Sequence, residues 1–121
     1  MRAQTEREFS DAIVELAHLL GWEVKRDPTW RATAASPGYP DLTMAHANYE
    51  RIIFAELKLD KGQVTGEQRN WLDVLDQAAY ASVERHNVAA VVWRPRDWDE
   101  IEQVLKGKVC ARCAYTERAT G

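Results

Sequence analysis

The order of elements in this sequence predicts an α/β (α+β) domain, a mixed β-sheet flanked by helices in the succession α-β-β-β-α-β-α. Three observations lead there. Helix-start signatures, an N-capping side chain answered by Glu or Gln three residues on, begin at Thr5, Thr65 and Asp97, and each precedes apolar residues at helical spacing. Between the first two lie three short runs with strand character. After the second helix, Val88 to Trp93 is continuously apolar, as a strand covered on both faces must be. Several strands, then a helix and a returning strand, make a mixed sheet with helices against it.

Each element has its own reason. Behind Thr5, with Glu8 to answer it, Phe9, Ile13, Leu16, Ala17 and Leu20 form one helical stripe, and Gly21 ends it. Trp22 to Arg26 alternates as a short strand. Asp27 to Pro37 is polar, contains two prolines and reads as a loop. Tyr39 to Ala45 is a second strand, and Ala47 to Glu50 is a turn. Arg51 to Lys58 is a third strand, with Ile52, Phe54, Glu56 and Lys58 on one face because residues two apart point the same way. Asp60 to Gln63 is a loop. Thr65 and Gln68 open a helix carrying Trp71, Leu72, Leu75, Ala78 and Ala79, expected to run to about Arg85. Ile101, Val104 and Leu105 give a short final helix. A single domain over 1–106 is expected; from 107 to 121 no clear period is present, and the tail is expected to be loose.

At 121 residues, with 45% hydrophobic and 29% charged residues, the chain suits one ordinary globular domain. No apolar run approaches the length of a membrane span, and the N-terminus lacks the apolar core of a signal peptide, so action inside the cell is expected. A net charge of −3 excludes a protein that coats nucleic acid by bulk charge. Contact with DNA would need a local basic patch. Cys110 and Cys113 form one Cys-x-x-Cys; a four-ligand zinc site needs two more ligands, and His18, His46 and His86 are scattered along the chain. Two reduced thiols are expected, with a zinc site shared between subunits as the alternative.

The residues that carry chemistry are Asp41, in Gly38-Tyr39-Pro40-Asp41-Leu42, and the pair Glu56 and Lys58 at the end of the next strand. A charge projecting beside Ile52 and Phe54 is costly unless paired. Two carboxylates on adjacent antiparallel strands repel each other, and Mg²⁺ or Mn²⁺ relieves this with oxygen ligands. An ion held there acidifies its water for attack on phosphorus. Lys58 is placed to orient that water or to stabilise phosphate charge. Read separately, Glu-x-Lys is a common strand-end pair and Pro-Asp a common turn; their combination after an apolar run is the informative feature.

These residues, with Thr5-Glu6-x-x-Phe9, Leu19-Leu20-Gly21-Trp22, Phe54-Ala55-Glu56-Leu57-Lys58, Lys61-Gly62, Gln68-x-x-Trp71-Leu72 and Val92-Trp93-Arg94-Pro95-x-Asp97-Trp98, make the chain resemble the PD-(D/E)XK nucleases. Within them it resembles the VRR-NUC (virus-type replication-repair nuclease) group, over roughly Thr5 to Leu105. The resemblance implies a restriction-endonuclease-like fold and a Holliday-junction-resolvase-like, metal-dependent endonuclease. It implies Asp41 and Glu56 as metal-binding acids, Lys58 as the catalytic lysine and the Leu57 backbone carbonyl as a further metal ligand. Glu6 matches an acid held over the metal, with Glu8 as the substitute, and Gln68 matches a supporting position that is equally a helix cap. The implied cofactor is Mg²⁺ or Mn²⁺. The implied partner is branched, flapped or four-way-junction DNA, cut by a homodimer in a bacterial cell or a phage-infected host.

Lys25, Arg26, Arg31, Lys61 and Arg69 flank these motifs and are the candidate DNA contacts; Trp30 is a candidate for stacking on an unpaired base. Two rival readings are a nickase or exonuclease on the same fold, and a nuclease-like domain that binds DNA or a protein without cutting.

Overall fold

A computed structural model of the chain describes residues 1–27, 37–81 and 85–120, with 85 and 116–120 described as backbone only. The elements are α1 (Glu6–Leu19), β1 (Glu23–Arg26), β2 (Leu42–His46), β3 (Arg51–Leu57), α2 (Gly66–Tyr80), β4 (Val88–Trp93), α3 (Trp98–Leu105) and α4 (Ala111–Thr120). Short 3-10 turns occupy Arg85–Asn87 and Pro95–Asp97.

The strands form one sheet in the order β1-β2-β3-β4. The first two pairings are antiparallel and the third is parallel, with α2 as the crossover between β3 and β4. The mixed sheet flanked by helices is thus as the sequence predicts. Register divides the sheet into two apolar faces. Met44, Ile53 and Ala89 form one cross-strand row and Leu42, Ala55 and Val91 another. With Leu57 and Trp93 these rows pack against Phe9, Ile13 and Ala17 of α1 and Ile101, Val104 and Leu105 of α3. Each fully buried Phe or Ile here contributes about 2–3 kcal/mol of transfer free energy. The opposite face, through Phe54, Ala90 and Val92, packs on Leu72 and Leu75 of α2. Trp22 Nε1 donates to the Leu105 carbonyl at 2.9 Å, fastening the entry to β1 onto the end of α3.

Local capping differs in detail from the sequence reading. Thr65 and Gln68 make the full reciprocal box. Thr5 Oγ1 accepts from the Glu8 N–H at 3.0 Å, but the Glu8 carboxylate turns to the Gln4 N–H at 3.4 Å. Asp97 Oδ2 accepts from the Arg94 N–H at 2.9 Å, so it closes the 3-10 turn rather than capping α3. Helix α2 ends at Tyr80, short of the expected Arg85.

The larger difference lies beyond Gly107, where a loose tail was expected and α4 is found. Its anchors among the described side chains are few. Ala111 is buried, and Tyr115 packs against the apolar clusters of both sheet faces. Arg112 Nη2 meets Asp76 Oδ1 of α2 at 3.0 Å, with its guanidinium 5.2 Å from the centre of the Tyr80 ring. One small residue, one aromatic and one ion pair leave no stripe for a period to reveal. Among the described residues no helix is long and apolar enough to cross a membrane.

Candidate active site

Asp41 immediately precedes β2, and the antiparallel register (Leu42 opposite Ala55) carries it to the end of β3 where Glu56 stands. Asp41 Oδ2 accepts from the Leu57 N–H at 2.9 Å, fixing its carboxylate between Glu56 and Lys58 along the chain. Its own carbonyl accepts from the Asp27 N–H at 2.8 Å. Glu56 is 2% exposed, the most deeply buried carboxylate among the described residues. Gln68 Nε2 donates to Glu56 Oε2 at 3.1 Å, while Gln68 Oε1 accepts from the Thr65 N–H at 2.9 Å. Gln68 therefore serves both as helix cap and as a donor to Glu56.

Glu56 Oε1 is buried with no hydrogen-bond partner. Leaving such an atom unsatisfied costs on the order of 1–3 kcal/mol, more when charged. Burial, first of all, pushes the Glu56 carboxyl from an ordinary value of 4.5 up to about 9, with the Asp41 charge adding to it. Lys58 pulls in the opposite direction, and Glu6 adds a smaller upward push. Without a cation, burial and the neighbouring acid therefore favour a proton on Glu56. A hard divalent cation is the other way to reconcile two facing acids with an acceptor that has no donor. The donor set fits such an ion.

Lys58 follows β3, half-buried, with its N–H on the Trp93 carbonyl at 3.1 Å. The loop beside it lies in ordinary contact range: a Cβ on Gly62 would stand 3.4 Å from Lys58 Cβ and Cδ. That loop is held by Arg94, whose Nη1 donates to the Leu59 carbonyl at 2.7 Å and the Gly62 carbonyl at 2.8 Å. Sequence reasoning gave Arg94 no role, since the carbonyls it binds lie more than thirty residues upstream.

Gly38 brings the halves of the site together. It has φ +86°, and a Cβ there would fall 2.5 Å from the Glu67 carbonyl carbon and 2.6 Å from Gln68 N. The loop before Asp41 thus lies backbone to backbone on the first turn of α2. Tyr39 continues the contact, edge-on to Trp71 at 5.0 Å and with its hydroxyl 3.1 Å from Thr43 Oγ1. Gly38→Ala is expected to cost about 2–4 kcal/mol, from left-handed strain and displacement of the helix turn. The urea midpoint should fall at unchanged m; an unchanged midpoint would show that the close approach is dispensable.

The remaining candidates separate. Glu6 is exposed on the first turn of α1 and its charge reaches Glu56, whereas Glu8 is occupied with Gln4. Lys25 shares a cross-strand row with Thr43 and Phe54, on the α2 face of the sheet. Arg26 is on the other face, with Nη1 2.9 Å from Asp11 Oδ1 and donating to Ser10 Oγ at 3.2 Å. That guanidinium holds the exposed Asp11 carboxyl below its usual value. Lys61 and Arg69 line one open groove with Arg94 and Arg96, beside Gly62. The groove abuts Lys58 without including Asp41 or Glu56, so it is a flank of the site. Arg31 and Trp30 lie outside the described residues. His46 is a core residue: Nδ1 accepts from the Tyr49 N–H at 3.3 Å, which leaves Nε2 to donate to the Leu20 carbonyl at 3.0 Å.

Compared with family models, with curated proteins and with solved structures, the chain matches none.

Proposed function

We propose that this chain is a Mg²⁺- or Mn²⁺-dependent DNA nuclease of the PD-(D/E)XK type, acting on branched DNA such as flaps and four-way junctions. The observation that carries the reading is the buried, unpartnered Glu56 Oε1 next to Asp41 and Lys58. A fold that needed these groups only for stability has no use for a buried acid that its burial, and then the charge of a second acid, drive to hold a proton.

In this reading Asp41 and Glu56 hold the ion, with the carbonyl of Leu57, the residue after Glu56, as a further ligand and Glu6 facing from the solvent side. The ion, when bound, neutralises phosphate charge and supplies an acidified water for hydrolysis of the phosphodiester. Lys58 places an ammonium at the phosphate, where negative charge grows in the transition state. Gln68 fixes the rotamer of Glu56. Lys61, Arg69 and Arg96 meet the phosphates that run away from the cut, and Lys25 approaches from the sheet. Among the described residues no element is shaped to read base edges, which favours recognition of DNA shape. Two cuts in a four-way junction need two sites, hence a symmetric dimer.

The test is cleavage of a panel of flap, nicked, single-stranded and four-way-junction DNAs with Mg²⁺ or Mn²⁺, wild type beside Lys58→Ala. Metal-dependent cutting by wild type, strongest on branched substrates and lost in the variant, is expected. Equal traces of product from both proteins would mean contamination and favour a module that binds without cutting; preference for ends or nicks would move the substrate class.

A further inference from the structure

We propose that His86, Cys110 and Cys113 form a zinc site, separate from the Asp41–Glu56 pair, that fastens α4 to the domain. The three residues come from two places in the chain. His86 lies in the 3-10 turn before β4, and the cysteines flank the first turn of α4. Their ligand atoms all lie within 4.8 Å of one another. Both sulfurs face the same imidazole nitrogen: Cys113 Sγ is 3.3 Å and Cys110 Sγ 3.8 Å from His86 Nδ1. In a tetrahedral site with Zn–S about 2.3 Å and Zn–N about 2.0 Å, sulfur and nitrogen stand about 3.5 Å apart. The observed separations bracket that edge.

Sequence spacing conceals the third ligand, because His86 precedes Cys110 by 24 residues and meets it only through the fold. Each thiol has a hydrogen-bond acceptor within reach, Cys113 Sγ the His86 Nδ1 and Cys110 Sγ the His86 carbonyl at 3.4 Å, and these are weak contacts for two thiols and an imidazole gathered at one point. Zinc replaces these weak contacts with two thiolates and one neutral imidazole, releasing the thiol protons to solvent. Neither cysteine is in a disulfide. A tether suits α4, whose apolar anchors among the described side chains are Ala111 and Tyr115. His86 is exposed, so water has access to the fourth position.

The test uses the full chain, purified with a non-thiol reductant and no added chelator. One zinc per chain is expected, released by a mercurial reagent. Cobalt in its place should give a thiolate-to-metal charge-transfer absorption and the visible bands of a tetrahedral ion. Cys113→Ser should abolish the charge-transfer band or cut it sharply, and His86→Gln should weaken cobalt affinity at least about tenfold, the lower end for disturbed metal sites. If the variants fail to fold, the cobalt spectrum and metal content of wild type decide alone. A metal-free wild type without the cobalt bands overturns the site, as does a Cys110–Cys113 disulfide formed in place of metal uptake. One zinc per two chains overturns the single-chain assignment in favour of a shared one. None of these readouts depends on DNA cleavage.

Discussion

Asp41→Asn is expected to lower metal-dependent DNA cleavage by at least about 10²-fold, the scale of losing one preorganised electrostatic group at a reacting centre. The substitution is chosen for what it keeps. An asparagine carbonyl can still accept the Leu57 N–H now held by Asp41 Oδ2 at 2.9 Å, and the backbone bond from Asp27 is untouched. The fold should therefore survive, which Asp41→Ala would not guarantee. What is lost is one of two negative charges available to a cation. Binding of DNA in Ca²⁺ or without metal should be kept or improved, because a charge that repels phosphate is gone. Removing that charge also relaxes Glu56, whose raised affinity for a proton owes its second largest contribution to Asp41. Cleavage at the wild-type rate would remove Asp41 from the metal site.

Glu56→Gln should stabilise the metal-free protein at neutral pH, by on the order of 2–3 kcal/mol. The sign follows from proton counting. The Glu56 carboxyl ionises near 4.5 in a free chain and at about 9 in the fold. Between those values the folded protein holds a proton that the unfolded chain has released, so stability falls as pH rises. The stabilisation is fully present below pH 4.5 and is lost on the way up through about 9. Glutamine stays neutral throughout and should abolish this slope. Urea midpoints in EDTA at pH 5 and pH 8.5, wild type beside variant, isolate the effect from every other titrating group. Parallel slopes for the two proteins would mean that Glu56 ionises in the fold as freely as in solvent. With Mg²⁺ present the ranking should reverse, since only the carboxylate gains from the ion.

The legible parts of this molecule are those governed by short-range rules. Strand parity aligns Glu56 with Phe54, and a tight antiparallel hairpin brings Asp41 across to it; both follow from residues sixteen positions apart or fewer. The Thr65–Gln68 cap is equally local, although its second bond, to Glu56, needs the sheet in place. Arg94 on the Leu59 and Gly62 carbonyls, Gly38 against the α2 backbone, and His86 beside two cysteines all depend on how distant elements meet. No periodicity encodes those meetings. Arg26 shows the converse: its position near the motifs suggests a DNA contact, but strand parity turns it toward α1 and Asp11. The end of α2 at Tyr80 went unread because Ala78, Ala79 and Ala81 continue a helix-favouring composition past the point where the crossover must turn.

Tyr115 touches apolar clusters on both sides of a sheet whose last strand is β4. A side chain reaches both sides by standing at the rim, so the start of α4 lies beside the outer edge of β4. Bare rims recruit strands from other molecules and seed stacked aggregates. Loss of the α4 packing would bare more of that rim, so its hold on the body bears on solubility as much as on shape.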